Sequence, residues 1–396
     1  MIPLSIPNFE GNEQKYVNLA LKQGWVSTGG AYITELEKKL AHFLNIPKIA
    51  ACQSGTSAIH LSLVECGVVP GDMVIVPPLT FIAAVNPVRY QFAEPVFIDC
   101  DDSLCLDPIK VHQFCEEECK MENGALIHKS GKIVKAIIVV HVFGNMADME
   151  SIMEIAHKYN LKVIEDATEA LGTKYKEGIF KDKYAGTIGN FGCYSFNGNK
   201  IITTGGGGAI TANSEEIVSH LQYLSTQAKD DSHYYVHNEI GYNYRMTNLQ
   251  AALGVAQMEL LEEFIKRKQK NYIEYQKLFE GFELAELMPF RANTCSNHWF
   301  YSLKINRSKI KASMKDIITA LEKKDIQTRA IWGLINEQKP YQRFTAYKIE
   351  KAKIFSDSIL NIPCSTNITN DEIIEVATKI KSLFLKLYKT TLTSTL

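Results

Sequence analysis

Short apolar runs alternate with helix-period stretches over the first two-thirds of the chain, and this alternation predicts the architecture. Runs of strand length occur at 73–76, 96–99, 136–141 and 162–165, and again at 191–195 and 208–211. Their hydrophobicity is continuous rather than alternating, as in strands of a parallel sheet covered on both faces by helices. Helices are expected between them, at 58–66 just after Ser54-Gly55-Thr56 and at 148–159 with Asp148 as N-cap. From Thr247 to Phe279 the helical pattern runs without proline and with glycine only at Gly254. At ~1.5 Å per residue it would span on the order of 50 Å, which suggests a strut between domains. A strand near 299–303 and helices near 314–323 and 371–386 complete an α+β tail. We therefore expect an α/β chain with a large domain over 1–262 and a smaller C-terminal domain over 263–396.

Bulk composition narrows the possible partners. Of 396 residues, 46% are hydrophobic, enough for a sizeable core. Lysine plus arginine is 43 against 44 acidic residues, a net charge of −1, so neither a nucleic-acid nor an acidic-membrane partner is expected. The nine cysteines are scattered and odd in number, which fits a reducing compartment rather than a disulfide framework. The proline-broken start and the lack of a long uncharged apolar run predict a cytoplasmic protein. His112, Cys115 and Cys119 could share a helix face, but they lack a fourth ligand and the paired spacing of zinc modules. No metal is expected.

The chemistry gathers around Lys200. The chain reads Tyr194-Ser195-Phe196-Asn197-Gly198-Asn199-Lys200-Ile201-Ile202-Thr203-Thr204, then Gly205 to Gly208. An amine becomes a nucleophile toward an aldehyde only when deprotonated, which requires desolvation or neighbouring positive charge. The glycines permit positive φ and close backbone approach, although a flexible hairpin would also use them. Their spacing matches neither G-x-G-x-x-G nor a P-loop. Asp166 ends a candidate buried strand and could keep a pyridine nitrogen protonated; it could equally cap a following helix. Gln53-Ser54-Gly55-Thr56-Ser57-Ala58, entering a helix, offers backbone N–H groups and hydroxyls to an anion. Lysine, buried acid and phosphate-ready turn together are what pyridoxal 5'-phosphate requires.

Those elements, in this order, resemble the DegT/DnrJ/StrS family of sugar-nucleotide aminotransferases, pyridoxal-phosphate enzymes of fold type I. The likeness extends to Gly24-Trp25-Val26-Ser27-Thr28-Gly29, Pro78-Leu79-Thr80-Phe81-Ile82-Ala83 and Gly241-Tyr242-Asn243-Tyr244-Arg245-Met246-Thr247-Asn248. The resemblance implies that Lys200 binds the cofactor aldehyde, Asp166 faces the ring nitrogen, Glu169 lies near the ring hydroxyl and Phe81 stacks on the ring. It implies Thr56, Ser57 and Ser195 as phosphate ligands, and Asn243 as a phosphate ligand reaching over from the partner of a homodimer with shared active sites. Where many members carry glutamate, this chain has Gly206, a variant similar to the branch serving legionaminic-acid- and bacillosamine-type sugars. The expected substrates are L-glutamate and a nucleotide-linked 4-keto-6-deoxy sugar, of UDP-N-acetyl type. Arg329 and Trp332 are candidate acceptor contacts, with an exposed arginine and a packed indole as the plainer alternative; His298 and Trp299 stand in the same position. A 3-keto sugar aminotransferase and a non-catalytic cofactor-binding regulator are the rival readings. A deoxygenating enzyme is disfavoured because such relatives replace the lysine with histidine.

Overall fold

The computed structural model describes residues 1–231 and 233–393. Its centre is a ten-stranded sheet. Across it lie Ala50–Cys52, Gly208–Ala212, Phe191–Ser195, Lys162–Asp166, Ile133–Val140, Met73–Val76, Glu94–Ile98 and Ala346–Tyr347. Every pairing from Phe191–Ser195 to Ala346–Tyr347 is parallel. Gly208–Ala212 runs against both its neighbours, and a hairpin, Cys119–Glu122 with Ala125–His128, hangs from Ile133–Val140. The continuous apolar runs are continuous because neither face is wet: all four residues of Met73–Val76 are buried.

This topology brings several chain ends to one edge. Ala50–Cys52, Lys162–Asp166 and Phe191–Ser195 all point the same way, so their C-terminal ends lie together. That edge is where open α/β sheets hold ligands. Ala50–Cys52 leads into the helix Gly55–Glu65, capped by Ser54, whose side chain accepts the Ser57 amide.

A second sheet of four antiparallel strands, in the order Ala285–Leu287, Tyr301–Ile305, Ile359–Ile362 and Arg329–Ala330, forms the smaller layer. The helices Met314–Glu322 and Asn370–Thr393 accompany it. Several segments tie it to the rest of the chain, among them Thr294–Cys295, which pairs with Lys174–Tyr175. Ile2 bridges Ile326 beside this sheet, while Ala346–Tyr347 returns to the large sheet as an edge strand.

The long helix is Asn248–Phe279, capped by Thr247 and Gln250 in a reciprocal box, and residue 262 falls inside it. Its N-terminal half is more than a strut, because Ala251, Ala252, Val255 and Ala256 are fully buried in the large layer. Gly254 allows this approach: a Cβ there would sit 2.8 Å from Thr204 Cγ2 and 3.0 Å from Leu36 Cδ2. We predict that Gly254→Val destabilises the protein by roughly 1–3 kcal/mol, overpacking outweighing the helix propensity gained. Chemical denaturation tests this, and an unchanged midpoint would refute it.

The cysteine and histidine cluster of the sequence reading does not assemble. The helix is Pro108–Glu118, so Cys119 opens the next strand instead, and His112 meets Lys158 at 2.9 Å. Among the described residues no three side chains gather as metal ligands, no disulfide forms, and no helix is long and apolar enough to cross a membrane.

Candidate active site

A cleft of about 630 Å³ opens at the C-terminal edge of the large sheet. Its floor carries Asp166, Thr168, Glu169, Ser195 and Lys200; one side is the helix start Ser54-Gly55-Thr56, and the far wall belongs to the small sheet.

Lys200 lies in the connection between the antiparallel strands Phe191–Ser195 and Gly208–Ala212. The plain hairpin reading fails here, because this connection is packed rather than free. Gly205 and Gly207 take φ of +79° and +142°. A Cβ on Gly208 would lie 2.6 Å from the carbonyl oxygens of both Ser54 and Tyr194. The glycines thus let the lysine connection close against the helix start. Gly206 has room for a side chain: it lines the cleft, and a Cβ there would meet only Gln250 Nε2, at 3.5 Å.

Burial holds the Lys200 amine below its usual pKa, with Glu169 and Asp166 pulling the other way. Glu169 Oε1 is 3.8 Å from Nζ, and the Trp299 ring centroid is 4.1 Å away. The amine is therefore desolvated yet steered by two carboxylates, as a nucleophile toward an aldehyde needs.

Asp166 is only 4% exposed. No helix follows it, so it is not a helix cap; Oδ1 accepts the Thr168 amide at 3.1 Å in a local turn. Burial raises its pKa, opposed by Thr168, Lys200 and His141. Its neighbour Glu165 points to the other face. There it accepts His141 Nε2 at 2.9 Å and the amides of Gly186, Ile188 and Gly189, fixing the strand that carries Asp166.

Glu169 is pushed up to about 7 by burial, with Lys200 and the Phe143 amide lowering it. The Phe143 N–H donates to its Oε2 at 2.8 Å, from a residue held at φ +56°. A non-glycine in that region is strained, and such strain concentrates at functional sites. Because the folded pKa lies above the unfolded value, Glu169 favours folding below about pH 4.5. That contribution is lost as pH rises through about 7. We predict that Glu169→Gln, compared with wild type as cofactor-stripped protein, gains relative stability between these limits. Parallel melting curves across that pH range would refute this.

The structure separates the remaining candidates. Thr56, Ser195 and Phe81 line the cleft, and Phe81 is 56% exposed into it. Ser57 does not: its hydroxyl donates to the Ser54 carbonyl at 2.8 Å and its amide to Ser54 Oγ, so it caps the helix. Asn243 lies outside its own chain's cleft, exposed, with Gln227 Nε2 donating to its side chain. Arg329 and Trp332 both line the wall, and the Trp332 ring also packs on Phe143 at 4.7 Å. Trp299 belongs to the site; its Nε1 donates to the Asn199 carbonyl at 2.7 Å. His298 does not line the cleft; it packs between Phe290 and Tyr272. Phe143, Phe300 and Asn361 are wall residues that sequence reading missed. Glycine-flanked Phe143 gave a faint signal, the other two none.

A desolvated amine, a buried carboxylate and the helix-start amides converge on a cleft with room for a ring and a phosphate. That arrangement fits pyridoxal phosphate and defines a cofactor-dependent transferase of the α/β type. The model of the DegT/DnrJ/EryC1/StrS aminotransferase family matches residues 7–381, and the chain belongs to that family. A GDP-perosamine synthase of Caulobacter vibrioides is 34% identical over 94% of this chain and 95% of its own. A Campylobacter jejuni protein named UDP-4-amino-4,6-dideoxy-N-acetyl-beta-L-altrosamine transaminase is 28% identical over 92% of each chain. Among solved structures, the PLP-form of Spr1654 from Streptococcus pneumoniae superposes with a TM-score of 0.85. It is 24% identical, over 98% of this chain and 99% of that one. The protein is thus an aminotransferase that uses pyridoxal phosphate.

Proposed function

We propose that this enzyme transfers the amino group of L-glutamate to C4 of a nucleotide-linked 4-keto-6-deoxy sugar, with a UDP-linked N-acetyl sugar as acceptor. The observation that carries the reading is the two-sided cleft. Acids and amine lie buried on the floor, while Trp299, Phe300, Trp332 and Arg329 form a wall suited to a sugar and its phosphates.

Pyridoxal phosphate, when bound, supplies the electron sink. Lys200 would hold it covalently and, once displaced by a substrate amine, move a proton through Nζ. Asp166 would keep the ring nitrogen charged, Glu169 would meet the ring hydroxyl, and Phe81 would cover the ring. The Gly55 and Thr56 amides, with Thr56 and Ser195 hydroxyls, would take the phosphate.

The exposed Asn243 lies in sequence near Tyr234, Tyr235 and Ile240, which are 82%, 68% and 86% exposed. This supports a homodimer in which Asn243 completes the partner's phosphate site. We place the enzyme in the cytoplasm, in polysaccharide biosynthesis.

The Campylobacter relative's name favours UDP. The perosamine synthases of Caulobacter and Escherichia coli O157:H7, at 34% and 33% identity, favour a second reading with a GDP-linked acceptor. Incubating holoenzyme and glutamate with UDP- and GDP-linked 3-keto and 4-keto sugars, with NMR of the product, decides between them. A C3 amine, or amination of the GDP sugar alone, overturns the first reading. If glutamate fails to change the cofactor's absorbance, L-glutamate is not the amino donor.

A further inference from the structure

The small sheet presents one row of polar side chains across three of its strands. Asn361 on Ile359–Ile362 stands directly opposite Arg329 on one neighbour and Ser302 on the other. Directly opposed residues in antiparallel strands share a face, so the three form a transverse row. Asn361 is only 3% exposed, yet it reaches the cleft wall beside Arg329.

The Ser302 hydroxyl, itself on a buried residue, donates to Asn361 Oδ1 at 2.6 Å. That bond occupies the carboxamide oxygen and fixes the plane of a side chain that lines the cleft. Arg329 makes no ion pair among the described residues. An oriented amide donor at the cleft wall with a guanidinium beside it is a ready pair for an anion.

We infer that Asn361 and Arg329 form a two-residue clamp for a substrate oxyanion, with Ser302 as the positioning residue that fixes the carboxamide. The inference rests on the proposed aminotransfer reading, which offers two sources of that chemistry: a carboxylate of the amino donor and the diphosphate of the nucleotide acceptor. Asn361 would then be a specificity residue, since its neutral, oriented donors discriminate by geometry where Arg329 discriminates by charge.

The test is calorimetric titration of holoenzyme with two unreactive probes, glutarate and UDP. Asn361→Leu alone would strand the Ser302 hydroxyl, so the folding-matched variant is Ser302→Ala with Asn361→Leu. Asn361→Asp is the complementary variant, placing a carboxylate where the anion would bind. The double variant is expected to weaken one or both probes about tenfold or more, and Asn361→Asp further still. Loss for glutarate alone assigns the clamp to the donor, loss for UDP alone assigns it to the acceptor, and loss for both means that one clamp serves each half of the reaction. The inference is overturned if both variants bind both probes within twofold of wild type, or if wild type binds neither. Binding is read without turnover. Clamp-dependent affinity in a protein that aminates no sugar would therefore overturn the functional reading and not this one.

Discussion

Lys200→Ala is expected to reduce amino transfer by at least about 10³-fold, because one side chain supplies both the covalent attachment and the proton carrier. Turnover alone would not make the assignment, since a second buried lysine lies close by. Lys268 is 2% exposed, and burial lowers its pKa too. Its Nζ, however, is committed to the carbonyls of Trp299 and Cys364, at 2.6 and 2.5 Å, and does not line the cleft. Lys200 has acids for neighbours and open space ahead. Borohydride reduction of holoenzyme, followed by peptide mass analysis, should therefore place the cofactor on the peptide containing position 200. Label at Lys268, or retained label at the same peptide in Lys200→Ala, would refute the assignment.

Asp166→Asn should lower turnover with glutamate on the order of 10²–10³-fold, the scale seen when one preorganised electrostatic partner of a reacting group is removed. The substitution keeps the shape and the Thr168 contact but deletes the charge. Two effects then combine: the ring nitrogen loses its counter-charge, and Lys200 loses one of the two acids that raise its pKa against burial. The amine should accordingly titrate at lower pH in the variant, shifting the acidic limb of the rate profile downward. A surface aspartate would produce neither result. Retention of activity within threefold, with an unshifted profile, would remove Asp166 from the mechanism.

The central sheet was legible because its strands are buried on both faces, and two-sided burial writes itself as uninterrupted apolar runs. The runs at 73–76 and 191–195 match the observed strands, and that at 162–165 extends by one residue to Asp166. Lys200, Asp166 and the Ser54-Gly55-Thr56 turn could be read together because each lies at a strand end or helix start, where local pattern marks position. Ser57 shows what sequence leaves open, because a hydroxyl that caps a helix and one that binds phosphate look alike there, and only the structure reveals its reciprocal bonds with Ser54. Phe143, Phe300 and Asn361 left little trace, since nothing local marks a residue whose importance comes from a distant segment.

By itself, the sequence determined the main buried strands and the long helix, the glycine run that lets the lysine connection close, and the residue types for cofactor chemistry. These follow from periodicity and steric freedom, which act over a few neighbouring residues. The tertiary structure decided the rest. It buried Lys200 against Glu169, lifted the Glu169 pKa to about 7, and set Arg329 and Asn361 on the facing wall. Desolvation and Coulomb interaction depend on distance in space, and the segments that meet in this cleft are as far apart in the chain as Thr56 and Asn361.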